Sequence, residues 1–299
     1  MLSDGRGGTL LRGVRALLAA IAVTMLVAAW ATPAGAPMSP LPDRAGRWRL
    51  LGWRPVPASG ADQGVATLSL PGSRERLVFR GDGDVSGSLR ARGWWHVGDP
   101  GSAGGYLLAP YQGQPSRRAK LFVLTAPDGR RSNWLHRLAP GEMVNNSFVA
   151  IAPSRHWFVA GEWGRMTRLL VFPMPAHNAA ARPGRDLPLA ATIRLSRQVR
   201  NLQGCGFASA TALVCTANSP DAPVFGVSHG LIAITLAHPV NGRQMSGRPV
   251  LLGALPQVSR CGQAETEGVD VHGDRLVVVA HERGACRGRV DVFTYRAAG

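Results

Sequence analysis

Two acidic residues near the end of the chain have a spacing that could support chemistry. Glu267 and Asp270 stand three positions apart, and Asp99 follows His96 by the same interval. Carboxylate oxygens are the ligands that Ca²⁺ prefers, and a buried acid is costly unless it is paired or bound to a metal. Only 18 acidic residues occur in the whole chain. We therefore expect no cofactor, with Ca²⁺ held by Glu267 and Asp270 as the alternative.

One segment resembles the nucleophile motif of hydrolases. The sequence GVSHG at 226–230 fits the pattern G-x-S-x-G, which would place Ser228 on a turn between a strand and a helix. The apolar run that follows, 231–237, is short for a helix and is followed by Pro239. Zinc-protease and phosphate-loop motifs are absent from the sequence. We assign no catalytic residue, and a binding role is favoured over an enzymatic one.

The elements that position these residues are short strands. Apolar runs at 148–152, 157–160, 168–172 and 189–195 are separated by segments rich in Pro, Gly and Arg. Runs of about 4–8 residues bounded in this way are strands, whereas helices need about 10–12 residues. Four consecutive antiparallel strands form one blade of a β-propeller.

The same unit recurs along the chain, which predicts an all-β propeller of four-stranded antiparallel blades. Further units begin near 94, 201 and 267, and the last has only three strands before the chain ends. Because open sheets must protect their edges, we expect an N-terminal strand, 48–53 or 65–70, to complete the last blade. We predict five blades, with four or six as alternatives, in a single domain over 37–299.

Antiparallel blades bring the start of each first strand and the end of each second strand to one face. Polar residues occupy those places, beside Trp94, Trp95, Tyr111 and Trp163. A polar ring with aromatic neighbours is the usual composition of a ligand pocket. The alternatives are that His96 is a core histidine and that Glu162 only pairs with an Arg. The predicted ligand-binding residues are His96, Asp99, Asn146, Glu162, Gln203, Glu267 and Asp270.

The four cysteines predict two disulfide bonds. An even number of cysteines in a secreted chain suggests a disulfide framework, and four cysteines allow three pairings. Cys205 and Cys215 would face each other across a hairpin, and Cys261 and Cys286 would lie at the same end of the last blade. The repeat therefore favours these two pairs.

The N-terminal segment has the features of a secretory leader. Arg6, Arg12 and Arg15 precede the apolar run 16–31, and a small-residue site follows at 34–36. This pattern predicts a signal peptide over 1–36 and a secreted, monomeric protein. The apolar run is shorter than the about 20 residues of a membrane helix. The alternative is an uncleaved leader that anchors the protein to the membrane.

The charge of the chain does not indicate a nucleic-acid partner. The formal net charge is +16, and Lys120 is the only lysine. The arginines are scattered, without the basic tract or clustered basic face that a nucleic-acid site needs. We expect an envelope glycan or an envelope protein as the partner. A basic surface that holds an anionic polymer is a further alternative.

Several segments resemble secreted β-propeller proteins of the actinobacterial type. They are GWWHVGDP, NNSFVAIAPSRHWFVAGEWG, RLLVFP, NLQGCGF and EGVDV. The pattern is similar more broadly to TolB-like and gluconolactonase-like propellers. The EGVD segment at 267–270 resembles the acidic inner-strand motif of sugar-lactonase and phytase-like propellers. The resemblance implies a propeller, with a metal-dependent lactonase or hydrolase as the alternative to a ligand- or protein-binding module.

Overall fold

The computed structural model describes residues 44–45, 48–221, 223, 225–255 and 264–298, and the predicted leader lies outside these residues. The first strands are β1 (Arg44–Ala45), β2 (Trp48–Pro57), β3 (Gly64–Leu68) and β4 (Arg76–Arg80). β3 and β4 form a two-stranded antiparallel sheet. The short helix α1 (Gly87–Ala91) and a 3-10 turn precede the first four-stranded unit.

The first unit contains β5 (Trp94–Val97), β6 (Gly101–Ala103), β7 (Tyr106–Gly113), β8 (Ala119–Thr125) and β9 (Arg131–Arg137). β5 and β6 both pair with β7, so together they make one interrupted inner strand. The interruption is at residues 98–100, where a proline lacks the N–H group that a continuous ladder requires.

The second unit is the stretch in which the strand pattern of the sequence is clearest. Its strands are β10 (Phe148–Ile151), β11 (Trp157–Gly161), β12 (Arg165–Pro173) and β13 (Ala191–Arg200). They pair in chain order as an antiparallel meander, which is the arrangement that the apolar runs predict.

The third unit is hydrogen-bonded to the second. Its strands are β14 (Leu202–Ser209), β15 (Ala212–Asn218), β16 (His229–Leu236) and β17 (Met245–Ala254). β17 pairs in parallel with β13, which joins the two units into one eight-stranded sheet. The sequence repeat does not predict this pairing.

The fourth unit is completed by the N-terminal strand. It consists of β18 (Ala264–His272), β19 (Arg275–Glu282) and β20 (Arg289–Ala297), with β2 as the fourth strand beside β20. The first of the two predicted closing segments is therefore correct. The second is wrong, because its residues form β3 and pair with β4.

The inner strands contact one another around a common axis. β18 contacts β14 and β3, β10 contacts β14 and β6, and β3 contacts β6. The fold is therefore the predicted β-propeller with four-stranded antiparallel blades. β3 and β4 form a separate two-stranded sheet, and the number of blades stays a prediction.

Buried aliphatic and aromatic side chains between neighbouring sheets hold the inner strands in place. One cluster joins the second and third units through residues such as Phe148, Met166 and Ile234. Another joins the first and second units through Phe122, Phe158 and other rings. Burial of such side chains contributes about 1.5–3 kcal/mol each, so the polar residues at the strand ends rest on a rigid support.

The disulfide between Cys205 and Cys215 is present, as predicted. The two residues face each other across the β14–β15 hairpin, with their Cα atoms 4.0 Å apart. Cys286 is also disulfide-bonded, and Cys261 lies outside the described residues, so the second predicted pairing stays a prediction. Within the described ranges, no helix is long and apolar enough to cross a membrane.

Candidate functional site

Two cavities lie at opposite ends of the inner strands. We call one the tryptophan cavity, because Trp95 and Trp163 line it, and the other the glycine cavity, because its lining includes Gly101, Gly104, Gly105 and Gly206. Glu267 of β18 and Gln203 of β14 line the tryptophan cavity. Asp270 of β18 and Phe207 of β14 line the glycine cavity. Their volumes are about 270 and about 370 Å³. His96, Gln203 and Glu267, which stand at three of the strand starts, therefore line the same cavity.

The tryptophan cavity gathers most of the predicted polar ring. Its amide, imidazole and carboxyl groups come from four different inner or second strands, and two indole rings lie beside them. The predicted residues that it brings together are Trp95, His96, Trp163, Gln203 and Glu267, and Gln112 of β7 lies with them.

The two indole rings of this cavity are exposed. Trp95 is 44% exposed and Trp163 is 41% exposed. Trp163 lies on the tight turn between β11 and β12, where Gly164 adopts a positive φ of 79° that an L-residue with a side chain rarely adopts. A ring held in water next to a polar cavity is available to a ligand.

Glu267 is the buried acid of the tryptophan cavity. It is only 4% exposed, and Oγ1 of Thr216 donates to its main-chain carbonyl. No described residue donates a hydrogen bond to its carboxyl group. Burial raises the pKa of Glu267 well above 4.5, and the carboxylates of Asp62, Asp82 and Asp99 raise it further.

A local bulge directs this acid into the cavity. Thr266 pairs with Ala280 and Val269 pairs with Val278, so two residues of β18 lie opposite one residue of β19. Bulges of this kind redirect side chains and are common beside functional sites.

His96 contacts Asp82 on the 3-10 turn that follows β4, and Asp62, on the turn before β3, binds the main chain of Asp82. Nδ1 of His96 is 2.9 Å from Oδ1 of Asp82, which also accepts a hydrogen bond from Val97 N at 3.2 Å. Asp62 Oδ1 accepts from Asp82 N at 3.1 Å. His96 is therefore anchored by a carboxylate, and its ring also lies 5.4 Å from that of Trp95.

Asp99 lies on the axis between the two cavities. It is fully buried in the break between β5 and β6. Its Oδ1 accepts from Val65 N at 2.9 Å and its Oδ2 accepts from Val269 N at 3.2 Å, so the side chain joins β3 to β18. Its main chain bridges to Phe148 of β10. Burial raises the pKa of Asp99 well above 3.8.

Three glycines make room for the Asp99 carboxylate. A Cβ at Gly64, Gly204 or Gly268 would overlap an oxygen of Asp99. These glycines come from β3, β14 and β18, so three inner strands approach the same side chain. The described contacts of the Asp99 side chain connect inner strands, and its predicted ligand-binding role stays a prediction.

The glycine cavity holds the remaining predicted acid, Asp270. Thr67 Oγ1 donates to Asp270 Oδ2 at 2.5 Å, and Arg275 Nη2 donates to Thr67 Oγ1 at 3.1 Å. His272 Nε2 lies 2.7 Å from Glu75 Oε1. Burial raises the pKa of Asp270, and the hydrogen bonds from Thr67 lower it. Its polar groups therefore largely bond to one another.

Glu267 and Asp270, the predicted metal ligands, line different cavities. The bulge at Glu267 and the Asp99 side chain separate them. No group of three His, Cys, Asp or Glu side chains placed to hold a metal ion occurs in the part of the chain that the structure describes.

Asn146 and Glu162 do not line the tryptophan cavity. Asn146 is fully buried, and its Nδ2 donates long hydrogen bonds to main-chain carbonyls of the first unit. Glu162 Oε1 accepts from Met143 N at 2.6 Å, and its Oε2 is 3.4 Å from Nε of Arg168. Pairing with an arginine is the alternative interpretation of Glu162 that the sequence also allows.

Lys120 supports the loop that leads to these residues. It is fully buried, and its Nζ donates to the main-chain carbonyls of Met143 and Asn145. Burial lowers the pKa of Lys120 to about 8, while Glu162 and Glu142 oppose the shift. Lys120 thereby holds in place Asn145, which lines the tryptophan cavity.

Besides Asn145 and Ser147, four further residues of the tryptophan cavity and its support were missed. Glu265 forms an ion pair with Arg283 and accepts from Gln203 Nε2 at 3.2 Å. Gln63 also lines the cavity, and Asp82 holds His96. Glu265 stands two positions before Glu267, and alternate residues of a strand share a face. That signal could have found Glu265, whereas nothing in the sequence identifies the other three.

Comparisons with known proteins identify no family for the chain and show no particular activity. No protein-family model matches the chain, and no curated protein matches it in sequence. Among solved structures, a gluconolactonase from Xanthomonas campestris has a TM-score of 0.33 and 12% identity, over 67% of this chain and 57% of that one.

Two other solved structures are similar at the same level. The β-propeller domain of Cps50 from Myceliophteria thermophila has a TM-score of 0.34 and 13% identity, over 75% of this chain and 61% of that one. The Bacillus subtilis arabinanase has a TM-score of 0.44 and 9% identity, over 79% and 94%. The chain thus spans about three fifths of the first two structures.

Proposed function

We propose that the protein binds a carbohydrate in the tryptophan cavity. The observation that carries the proposal is the exposure of two indole rings, those of Trp95 and Trp163, beside one polar cavity. Large aromatic side chains are usually buried in the core, and exposed ones beside a cavity mark a binding site.

The composition of the cavity suits a sugar. A sugar ring has an apolar C–H face, which can stack on an indole, and hydroxyl groups at its edge. Gln112, Gln203 and Asn145 line the cavity, and each amide both donates and accepts hydrogen bonds, as a hydroxyl group does. The volume of about 270 Å³ is close to the lower limit of small-molecule sites, which suits the end of a glycan chain. The predicted secretory leader would bring this site to the glycans of the envelope.

Titration of intrinsic tryptophan fluorescence with a panel of oligosaccharides tests the proposal. We expect one class of oligosaccharide to change the emission at saturable concentrations. Trp95→Ala and Trp163→Ala should each weaken its binding at least about tenfold, which corresponds to about 1.4 kcal/mol. Because both rings are exposed, the free energy of unfolding should change by less than about 1 kcal/mol.

The matched control is Leu51→Ala, since Leu51 is 45% exposed and lies on β2, outside the cavity lining. This variant should bind like the wild-type protein. If no oligosaccharide binds, or if both tryptophan variants bind normally, the proposal is wrong, and an envelope protein becomes the expected partner.

A lactonase- or hydrolase-type activity is the second candidate. The observation that favours it is the raised pKa of Glu267 in the same cavity, a property of general acids. Glu265, the second carboxylate of the cavity, is held by Arg283 and Gln203, and we therefore place binding first. Product formation that Glu267→Gln abolishes, while sugar binding persists, would reverse this order.

A further inference from the structure

The Glu267 carboxyl group is buried in the tryptophan cavity without a described partner. Four per cent of the residue is exposed, it lines the cavity, and no described side chain or main-chain N–H donates to its carboxyl oxygens. A carboxyl group in an apolar or enclosed site is stabilised by hydrogen bonds. A ligand that donates to these oxygens would supply the hydrogen bonds that the described residues do not.

The surroundings of Glu267 favour a positively charged donor. The carboxylates of Asp62 and Asp82 lie behind it, close enough to raise its pKa, as does Asp99 from the axis. The one guanidinium group of the cavity lining, on Arg283, is already paired with Glu265. In a chain with a net charge of +16, this end of the axis thus concentrates acids.

Proton binding and cation binding compete at this site. With no cation present, burial and the neighbouring carboxylates keep a proton on Glu267 above its usual pKa of 4.5. An ammonium group has three donors and a full charge, and charge-assisted hydrogen bonds are about twice as strong as neutral ones. Its arrival would favour the carboxylate and displace the proton.

We infer that the tryptophan cavity selects a saccharide that carries a primary ammonium group, such as a de-N-acetylated amino sugar, and that Glu267 receives this group. The inference rests on the proposed carbohydrate binding and names its ligand class. The indole rings contact the sugar face, the amides bind hydroxyl groups, and the carboxylate at the base of the cavity distinguishes an amine from an acetamide.

Calorimetric titration with glucosamine oligomers and with N-acetylglucosamine oligomers of equal length tests the inference. At about pH 6, where an aliphatic amine is protonated, the glucosamine oligomer should bind at least tenfold more tightly. Titrations in buffers with different ionisation enthalpies should show net proton release when the glucosamine oligomer binds and none when the acetylated one binds. His96, His281 and Glu265 are further titratable residues near this site. The proton release measured with the acetylated oligomer is therefore the baseline for the comparison.

Glu267→Gln keeps the shape of the side chain and removes its charge. In this variant the preference for the amine should fall below about threefold and the proton release should disappear, while the acetylated oligomer binds as before. Asp274→Asn is the matched control, because Asp274 lies on the exposed turn between β18 and β19 and pairs with Arg296. It should keep the preference.

The outcomes separate the two proposals. If the acetylated oligomer binds as tightly as the amine, the ammonium inference is overturned and carbohydrate binding stands. If no saccharide binds, both are overturned. If Glu267→Gln does not fold, the wild-type protein alone still tests the inference. Equal proton release on binding the two oligomers would contradict it.

Discussion

The tryptophan cavity and the glycine cavity are built at opposite ends of the same inner strands, yet their polar groups are used differently. In the glycine cavity, Asp270 is bound by Thr67, which is bound in turn by Arg275. In the tryptophan cavity, the carboxyl group of Glu267 has no described donor and two indole rings are exposed. The glycine cavity is the larger of the two, but its buried acid, Asp270, has a described donor, whereas Glu267 has none. This difference, and not the volume, is the reason why the proposed binding site is the tryptophan cavity.

The contribution of Asp99, which lies between the two cavities, can be tested by substitution. Asp99→Ala would leave the N–H groups of Val65 and Val269 without their acceptors. Each buried donor left unpaired costs about 1–3 kcal/mol, so the free energy of unfolding should fall by about 2–6 kcal/mol. Urea denaturation measures this loss.

Asp99→Asn should lose less, because an amide oxygen can still accept from one of the two N–H groups. Asp128→Ala, at an exposed turn with only an Arg130 ion pair, should change little. Equal stabilities for Asp99→Ala and the wild-type protein would show that Asp99 does not hold β3 and β18 together.

The support of the tryptophan cavity can be tested through Lys120. Burial lowers its pKa to about 8 from 10.5, so between these pH values the unfolded chain holds one more proton than the folded one. Stability should therefore rise with pH in this window, by up to about 1.4 kcal/mol per pH unit, and be lowest below about pH 8. Chemical denaturation from about pH 8 to about 9.5 measures the slope.

Lys120→Met should remove this slope. Tyr111→Phe is the control. Burial raises the pKa of Tyr111 above 10, so its ionisation lowers stability with rising pH only from about pH 10, above the measured window. A slope that persists in Lys120→Met would mean that another group causes it.

The close approach of β18 to the axis can be tested at Gly268. A methyl group in Gly268→Ala would overlap the Asp99 carboxylate and the main chain of Gly64. Such overpacking typically costs about 1–3 kcal/mol. Gly52→Ala on β2 is the matched control, since no atom lies within 4 Å of its added Cβ. Equal unfolding free energies for the two variants would contradict a tightly packed axis.

Metal removal should have the smallest effect. Since no described group of three ligands could hold a metal, and Glu267 and Asp270 line different cavities, a chelator should shift the melting temperature by less than about 1 °C. Elemental analysis of protein never exposed to chelator is the companion measurement. One tightly bound ion per chain, with a clear loss of stability on its removal, would support the metal-dependent alternative.

The strand pattern of the sequence was sufficient to predict most of the fold. Short apolar runs bounded by Pro and Gly specify strands locally, and β10 to β13 form where those runs occur. The parallel pairing of β13 with β17 could not be predicted, because it depends on how two blades tilt toward each other. The assignment of 65–70 as a closing strand failed because the main chain of these residues is hydrogen-bonded to β4 in a hairpin.

The site could be predicted only in part. The antiparallel meander places His96, Gln203 and Glu267 at one end of the axis, as the strand starts indicate. Asp99 follows His96 by three residues, but a break in the inner strand turns its side chain onto the axis. Asp62 and Asp82 come from turns whose geometry the sequence does not specify, although they contribute most of the charge around Glu267.

The closure of the fourth unit affects how the protein is made. β2 is hydrogen-bonded to β20, and Trp48 lies opposite Ala297, almost the full length of the described chain away. Because translation proceeds from the N terminus, β2 has no partner strand until β20 has been synthesised. Such distant pairings are slow to form and leave a strand edge open to aggregation meanwhile. Closure of the ring is therefore a late folding step, and loss of residues from β20 would affect β2 as much as β20 itself.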